Sequence, residues 1–172
     1  MKTKMNLLDV PTPVGVARLC ADAKAIRSIQ WSDRVSHKSC ANPILMEAGK
    51  QLREYFNGNR RKFEIPLAPE GTDFQKLIWK LCARIPYGST VTYGDLARRS
   101  KHSGAARAVG SAMAANPIPL IIPCHRVLGV SGLGGYSGNG GLETKRFLLD
   151  LERENAPIPT FPRRGKESGS SE

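Results

Sequence analysis

A cysteine followed directly by a histidine is the part of this sequence best suited to chemistry. Cys124 and His125 end an apolar segment that is stiffened by prolines at positions 117, 119 and 123. A rigid apolar setting excludes water and holds a thiol in place, which suits an activated nucleophile. Only about 3% of a free thiol is ionised at pH 7, so a positioned base is needed. The pattern predicts a nucleophilic Cys124 with His125 as its base.

A carboxylate near the end of the chain is a candidate partner for this base. The apolar periodicity predicts a helix over residues 142–154, with Glu152 on the same side as Leu148 and Leu149. Such a carboxylate is either a partly exposed edge residue or the partner of a buried donor. In an extended segment, adjacent side chains point to opposite faces, so His125 needs a turn or a bridging water to reach Cys124. We therefore predict a Cys–water–His–Glu relay with the logic of a hydrolase triad.

The charge balance indicates a polyanionic partner. The 172 residues include 26 Lys and Arg against 15 Asp and Glu, a net charge of +11, and nucleic acid is the first candidate for such a surplus. Residues 84–126 contain six basic residues and one acidic residue, Asp95. The longest apolar run, residues 117–124, is far shorter than the about 20 residues of a membrane helix. We expect an intracellular protein without membrane contact, cytoplasmic and nucleoid-associated in a bacterium or archaeon, nuclear in a eukaryote.

Two short helices joined by a polar turn are predicted in this basic region. Thr92 and Asp95 match a capping box that begins a helix ending near residue 99. Ser103 is predicted to cap a second helix over residues 104–115. Two such helices suggest a helix-turn-helix.

The second of these helices consists almost entirely of small side chains. Arg107 is its long cationic side chain and shares the outer side with Ser111 and Ala114. A smooth helix of this kind can approach DNA closely while the arginine inserts. The alternative interpretation is a helix whose small residues accommodate tightly packed neighbours.

The remaining segments predict the elements that position these residues. Residues 13–20 and 25–31 are predicted to form a hairpin, residues 43–55 a helix with Leu45, Ala48, Leu52 and Phe56 as its apolar stripe, and residues 62–67 a strand. A further helix is predicted from residue 72, with Phe74, Leu77, Ile78, Leu81 and Cys82 as its buried face. We predict an α/β domain over 1–70, a DNA-binding and acceptor domain over 71–154, and a disordered tail over 155–172.

Several spaced motifs together resemble a known family. Residues 123–127 read Pro-Cys-His-Arg-Val, and Asn116-Pro-Ile-Pro and Arg107-Ala-Val-Gly precede them. This pattern closely resembles the signature of the 6-O-alkylguanine-DNA alkyltransferases, or methylated-DNA–protein-cysteine methyltransferases, from about residue 74 to 152. The resemblance implies an N-terminal α/β domain with a small antiparallel sheet plus a helix. It also implies a mainly helical, winged-helix-like C-terminal domain with a helix-turn-helix.

The resemblance further implies a reaction and its residues. Cys124 would take the alkyl group from guanine O6, chiefly in 6-O-methylguanine, irreversibly and once per molecule, with His125 as water-bridged base and Glu152 as its partner. Asn116 would support the reactive loop, and Tyr93 would help to protonate the leaving guanine. The DNA contacts implied are Thr92, Tyr93, Ala106, Arg107 and Ser111. The walls of the alkyl pocket implied are Met113, Pro119, Tyr136 and Ser137.

The partner implied is double-stranded DNA carrying alkylated guanine, bound through the minor groove by a monomer. Two departures from the family pattern are Ala114, where some relatives carry a basic residue, and the slightly longer loop after Tyr136. The first third does not reproduce the zinc site of some relatives, so we expect no metal and no cofactor. The alternatives are a lesion-binding protein that does not repair, a regulator that uses Cys124 as a sensor, and a thiol hydrolase.

Overall fold

A three-stranded antiparallel sheet begins the computed structural model, which describes residues 4–156. Strands β1 (Asn6–Thr12), β2 (Gly15–Ala21) and β3 (Ile26–Ser32) pair in the order β1-β2-β3, which confirms the predicted hairpin of β2 and β3. The sequence pattern did not predict β1, because Asp9 and Pro11 interrupt its apolar residues. Both are accommodated: β1 is an edge strand, where proline is tolerated, and Arg18 and the backbone N–H groups of Ser36 and His37 donate to Asp9.

Helix α1 (Pro43–Phe56) packs on this sheet and confirms the prediction for residues 43–55. Its N-cap Asn42 accepts hydrogen bonds from two backbone N–H groups of the first turn, and Pro43 stands where no donor is needed. The predicted stripe differs at its last position, because Tyr55 is fully buried while Phe56 is only half-buried. The tyrosine thus faces the interior between the two halves of the chain.

The predicted strand over residues 62–67 is wrong. Among the described residues this segment has no strand, and Leu67 alone forms an isolated parallel bridge with Ile26. Pro66 cannot donate to a ladder, so a continuous pairing is unavailable. The segment is held instead by the Gln51 side chain, whose Oε1 accepts from the backbone N–H of Glu64 at 2.8 Å.

The second half of the chain begins with helix α2 (Asp73–Cys82), which Thr72 and Gln75 cap reciprocally. Its buried side chains are Ile78, Trp79 and Cys82, whereas Leu77 of the predicted face is exposed. The cysteine is therefore a packing residue, as its periodicity predicts. Trp79 Nε1 donates to the carbonyl of Ala112 at 2.8 Å, which fixes α2 against the later helix that contains this alanine.

The predicted pair of helices is present as α3 (Tyr93–Arg99) and α4 (Ala106–Ala114), which pack together. Thr92 and Asp95 form the expected capping box. Ser103 does not cap α4: the N-cap is Ala105, without a side-chain hydrogen bond. The reason is the turn before it, where Gly104 has a φ of 85° and lets the chain enter the helix two residues later than predicted.

The last elements enclose the reactive segment. A single 3₁₀ turn (Cys124–Arg126) leads into β5 (Val127–Leu128), which pairs in parallel with β4 (Val91–Thr92), and α5 (Gly141–Asn155) confirms the predicted final helix. One apolar cluster runs through both halves of the chain. The winged-helix form and the division near residue 70 stay predictions. The predicted tail begins at residue 155, but Asn155 is the last residue of α5, and residues 157–172 of that tail lie outside the described residues. No helix within residues 4–156 is long and apolar enough to cross a membrane.

Candidate active site

Cys124 begins a tight turn, one of the two ways in which His125 was expected to come within reach of the thiol. Its backbone N–H donates to the carbonyl of Ile122 at 2.8 Å, and the N–H of Arg126 donates to Pro123 at 2.9 Å. Asn116 holds the preceding loop from both ends of its amide: Nδ2 donates to the carbonyl of Ile122 at 2.9 Å and Oδ1 accepts from the N–H of Ile118 at 3.0 Å. The asparagine therefore sets the backbone that presents the thiol.

His125 is fully buried and hydrogen-bonded to a carboxylate. Its Nε2 lies 2.7 Å from Oε1 of Glu152, although 27 positions separate the two residues in the chain. Its other ring nitrogen, Nδ1, is buried and has no hydrogen-bond partner among residues 4–156. With Nε2–H donating to Glu152, the neutral ring keeps Nδ1 as an acceptor, which is the nitrogen that can receive a proton.

Glu152 is the centre of a larger network than the sequence predicted. Arg126 donates to it twice, from Nε and Nη2, both at 2.8 Å. The hydroxyl of Tyr55 donates to Oε1 at 2.8 Å, and the backbone N–H of Gly88 donates to Oε2 at 3.1 Å. Burial alone would raise the pKa of Glu152, but the hydrogen bonds from His125 and Arg126 outweigh it and lower this pKa to about 2. The carboxylate is thus ionised whenever the protein is folded at neutral pH.

The two reactive groups are neutral at rest. Burial raises the pKa of the Cys124 thiol, and the Asn116 amide and the Lys145 charge oppose this shift only in part. Burial also lowers the pKa of His125, against the opposing influence of Glu152. The resting pair is therefore a thiol and a neutral imidazole, and the sulfur becomes a thiolate only when a proton moves.

Lys145 is a buried cation that the sequence analysis did not single out. Its Nζ donates to the carbonyls of Val127 at 2.7 Å and Gly135 at 2.9 Å, and lies 5.9 Å from the centre of the Tyr93 ring. Burial lowers its pKa to about 8, which still leaves it mostly charged at neutral pH. Lys145 occupies the same face of α5 as Glu152, seven residues earlier, and this spacing is the signal that could have revealed it.

A cavity of about 420 Å³ opens beside the thiol. It is lined by Tyr93, Gly110, Met113, Ala114, Cys124, Gly135, Tyr136 and Ser137. Besides Cys124, four of these lining residues were assigned to the site from the resemblance: Tyr93, Met113, Tyr136 and Ser137. Pro119, which the resemblance also assigns to the pocket, is not among these lining residues and is buried in the loop of residues 116–122.

Both aromatic walls of the cavity carry a hydroxyl group. The Tyr93 hydroxyl makes a long contact of 3.4 Å to the carbonyl of Gly135, whereas the buried Tyr136 hydroxyl has no partner among residues 4–156. Ser137 Oγ donates to the carbonyl of Ala114 at 3.1 Å, which attaches the glycine-rich loop to the end of α4. The cavity thus presents hydroxyl groups to whatever occupies it, on otherwise apolar walls.

The outer side of α4 presents the residues predicted to contact DNA. Arg107, Ser111 and Ala114 are exposed, and Ala106 is half-buried. Within the described part of the chain no acidic side chain forms an ion pair with Arg107. The Thr92 hydroxyl accepts from the N–H of Asp95, so this residue primarily caps α3. No group of three or more potential metal ligands occurs within residues 4–156.

Comparison with known proteins gives a consistent result along the chain. Residues 9–69 match the family described as "6-O-methylguanine DNA methyltransferase, ribonuclease-like domain", and residues 73–154 match its "DNA binding domain". A methylated-DNA–protein-cysteine methyltransferase of Methanosarcina mazei is 50% identical over 157 residues, covering 85% of this chain and 96% of that protein.

Solved structures agree with these matches. The crystal structure of the Mycobacterium tuberculosis O6-methylguanine methyltransferase superposes with a TM-score of 0.79 at 35% identity, covering 90% of this chain and 96% of that one. A DNA complex of the mycobacterial protein gives 0.78 at 38% identity, covering 88% and 94%. By sequence and by structure, the chain belongs to the 6-O-methylguanine DNA methyltransferase family.

Proposed function

We propose that this protein repairs DNA by transferring the alkyl group of 6-O-alkylguanine to Sγ of Cys124. The observation that carries the proposal is the position of this sulfur, which borders a cavity of about 420 Å³ and is followed in the same turn by His125, whose ring is hydrogen-bonded to the buried Glu152 of α5. The cavity accepts a substituent, the sulfur accepts its carbon, and the histidine accepts the proton of the thiol. The relatives named above act on methylated DNA, which is consistent with this chemistry.

The reaction proceeds as one displacement. The Cys124 proton passes through a water molecule to Nδ1 of His125, and ionised Glu152 stabilises the imidazolium that forms. The thiolate attacks the alkyl carbon in line with the carbon–oxygen bond, the S–C bond forms, and the bonding electron pair leaves with guanine O6. The guanine anion that departs takes up one proton, which balances the proton moved from Cys124 to His125, and the Tyr93 hydroxyl on the cavity wall donates a hydrogen bond to the base during this step.

The product explains why each molecule reacts once. Alkylated Cys124 is a thioether, which has neither an ionisable proton nor a leaving group that water can displace under mild conditions. The sulfur is not regenerated, so the protein is consumed in proportion to the lesions repaired. This property distinguishes the proposal from a thiol hydrolase, whose thioester intermediate is hydrolysed in every cycle.

The reacting carbon must leave the base stack to reach the sulfur. Extruding a base costs a few kcal/mol, and less when the lesion already pairs badly. We propose that Arg107 enters the stack from the exposed side of α4 and fills the vacated space. Small neighbours such as Ser111 and Ala106 allow this helix to approach the minor groove closely, where little sequence is readable. One protein molecule binding as a monomer is sufficient for this geometry.

The decisive experiment uses duplex DNA with a tritiated methyl group on guanine O6. We expect one equivalent of label per protein molecule, located on Cys124 by mass spectrometry. Cys124→Ala should retain lesion binding but accept no label. Cys40→Ala removes a half-buried thiol in the N-terminal half of the chain and should react like the wild type. Label on the Cys124→Ala protein, or an unlabelled wild-type protein, would refute the assignment.

A further inference from the structure

Tyr55, a side chain from the N-terminal half of the chain, contacts the Glu152 carboxylate of the proposed relay. Tyr55, in the last turn of α1, donates its hydroxyl hydrogen to Oε1 of Glu152 at 2.8 Å across 97 positions of sequence. We propose that Tyr55 is a positioning residue: its hydroxyl limits how strongly Glu152 holds the imidazole proton of His125 and so sets the pH range in which His125 can act as a base. This inference rests on the proposed function and extends it to the first half of the chain.

The argument depends on which oxygen the tyrosine contacts. Oε1 of Glu152 accepts from Tyr55 at 2.8 Å, from His125 Nε2 at 2.7 Å and from Arg126 Nη2 at 2.8 Å. Each donor stabilises the negative charge on that oxygen and weakens its attraction for the other donors. Removing the tyrosine donor leaves the carboxylate more basic toward the imidazole. The imidazolium form of His125 then becomes more stable.

The tyrosine is held in place by packing, so the geometry does not depend on its hydroxyl alone. Its side chain is fully buried, and its ring contacts Phe56, Phe63 and Tyr87 with centroid distances of 5.2, 5.4 and 6.0 Å. Phenylalanine at this position keeps these contacts and removes only one oxygen. The substitution Tyr55→Phe therefore tests the hydrogen bond separately from the packing.

Other charged and titratable groups also act on His125, and Tyr55→Phe leaves each of them in place. They are Glu152 and Lys145 from α5 and Arg126 from the reactive turn. Arg126 and Lys145 disfavour the imidazolium, and Glu152 favours it. Any change in Tyr55→Phe is therefore caused by the lost donor.

The test compares Tyr55→Phe with the matched control Tyr87→Phe. The Tyr87 hydroxyl is buried but has no hydrogen-bond partner among residues 4–156, although its ring contacts that of Tyr55. We expect Tyr55→Phe to raise the pKa of His125, read from its ring ¹⁵N shifts, by about half a unit or more. The acid limb of the alkyl-transfer rate should move to higher pH by the same amount. Tyr87→Phe should change neither measurement.

A second variant separates this effect from misfolding. Fluorinated tyrosine at position 55 is a stronger donor in the same place, so it should shift the pKa of His125 in the opposite direction, to lower pH. Unchanged His125 titrations in the folded Tyr55→Phe and fluorotyrosine proteins would overturn the proposal. The NMR titration does not require alkyl transfer: an inert wild-type protein whose His125 still responds to Tyr55 would refute the proposed function alone.

Discussion

Replacing Arg126 by methionine tests whether the relay carboxylate also stabilises the fold. Arg126 makes two hydrogen bonds to Glu152, both at 2.8 Å, and one from Nη1 to the carbonyl of Ile85 at 2.7 Å. The Arg126 and Glu152 side chains are only 7% and 1% exposed. Methionine has an unbranched side chain that can fill much of the same volume. The substitution therefore removes the counter-charge of the buried Glu152 carboxylate and the two hydrogen bonds that Arg126 donates to it.

The expected cost follows from this burial. Breaking a buried ion pair by removing one partner costs about 3–5 kcal/mol. Glu152 keeps its donors Tyr55, His125 and Gly88, so we expect the lower end, a loss of about 3 kcal/mol in the free energy of unfolding. For a chain of this length that corresponds to a fall in Tm of roughly 6–12 °C.

Urea denaturation followed by tryptophan fluorescence measures this loss. Arg153→Met is the matched control, because Arg153 also donates to a carboxylate, that of Asp150 at 2.7 Å, but their side chains are 78% and 54% exposed. Exposed pairs contribute little to stability, so the control should denature like the wild type. If Arg126→Met lost no more stability than Arg153→Met, the inference that Glu152 depends on a buried counter-charge would be wrong.

Three further predictions concern other parts of the molecule. Asp9→Asn should lower the free energy of unfolding by about 2 kcal/mol at pH 7, because the ionised carboxylate accepts from Arg18 and two backbone N–H groups. The Arg18 hydrogen bond holds the pKa of Asp9 well below its usual range. The difference in free energy of unfolding between wild type and Asp9→Asn should therefore shrink as the pH falls below about 4, and urea denaturation at pH 7 and pH 3 measures this difference. Gly134→Ala should slow alkyl transfer several-fold, because its φ is 68° and a Cβ would lie 2.7 Å from a pocket tyrosine ring, whereas Gly132→Ala, with open space around it, should react at the wild-type rate. Arg107→Ala should slow repair of duplex DNA more than repair of single strands, since only the duplex resists base extrusion; equal losses on both substrates would contradict the insertion role.

Much of the candidate site could be predicted because its signals are local. The prolines, the Cys-His pair and the helical position of Glu152 all lie within 36 consecutive residues, numbers 117–152. Helical periodicity placed Glu152 beside a buried stripe, and its partner in the structure is indeed His125. The capping residues of α3 were equally visible, because a capping box depends on residues only three positions apart.

The parts that sequence analysis missed depend on contacts between distant segments. Tyr55 directly precedes Phe56, the last residue of the predicted apolar stripe. Nothing near it in the sequence indicates that its hydroxyl binds the Glu152 carboxylate, 97 positions later. The segment over residues 62–67 alternates like a strand, but which segments can pair with it is a property of the assembled sheet. Ser103 is a good capping residue that the adjacent Gly104 turn places outside the helix. In each case tertiary structure overrides a local preference.

The neutral resting state of the site suits a protein that reacts once. A permanently ionised thiol at Cys124 would combine with any electrophile that entered the cavity, and every such reaction would inactivate one molecule. Burial favours the uncharged forms of both Cys124 and His125, so in the proposed mechanism the nucleophile forms only as the proton reaches His125. Lys145 on the sulfur side and Glu152 on the imidazole side then stabilise the two charges that appear together. In the proposed mechanism, reactivity therefore depends on an occupant that aligns its carbon with the sulfur while the two charges are separated.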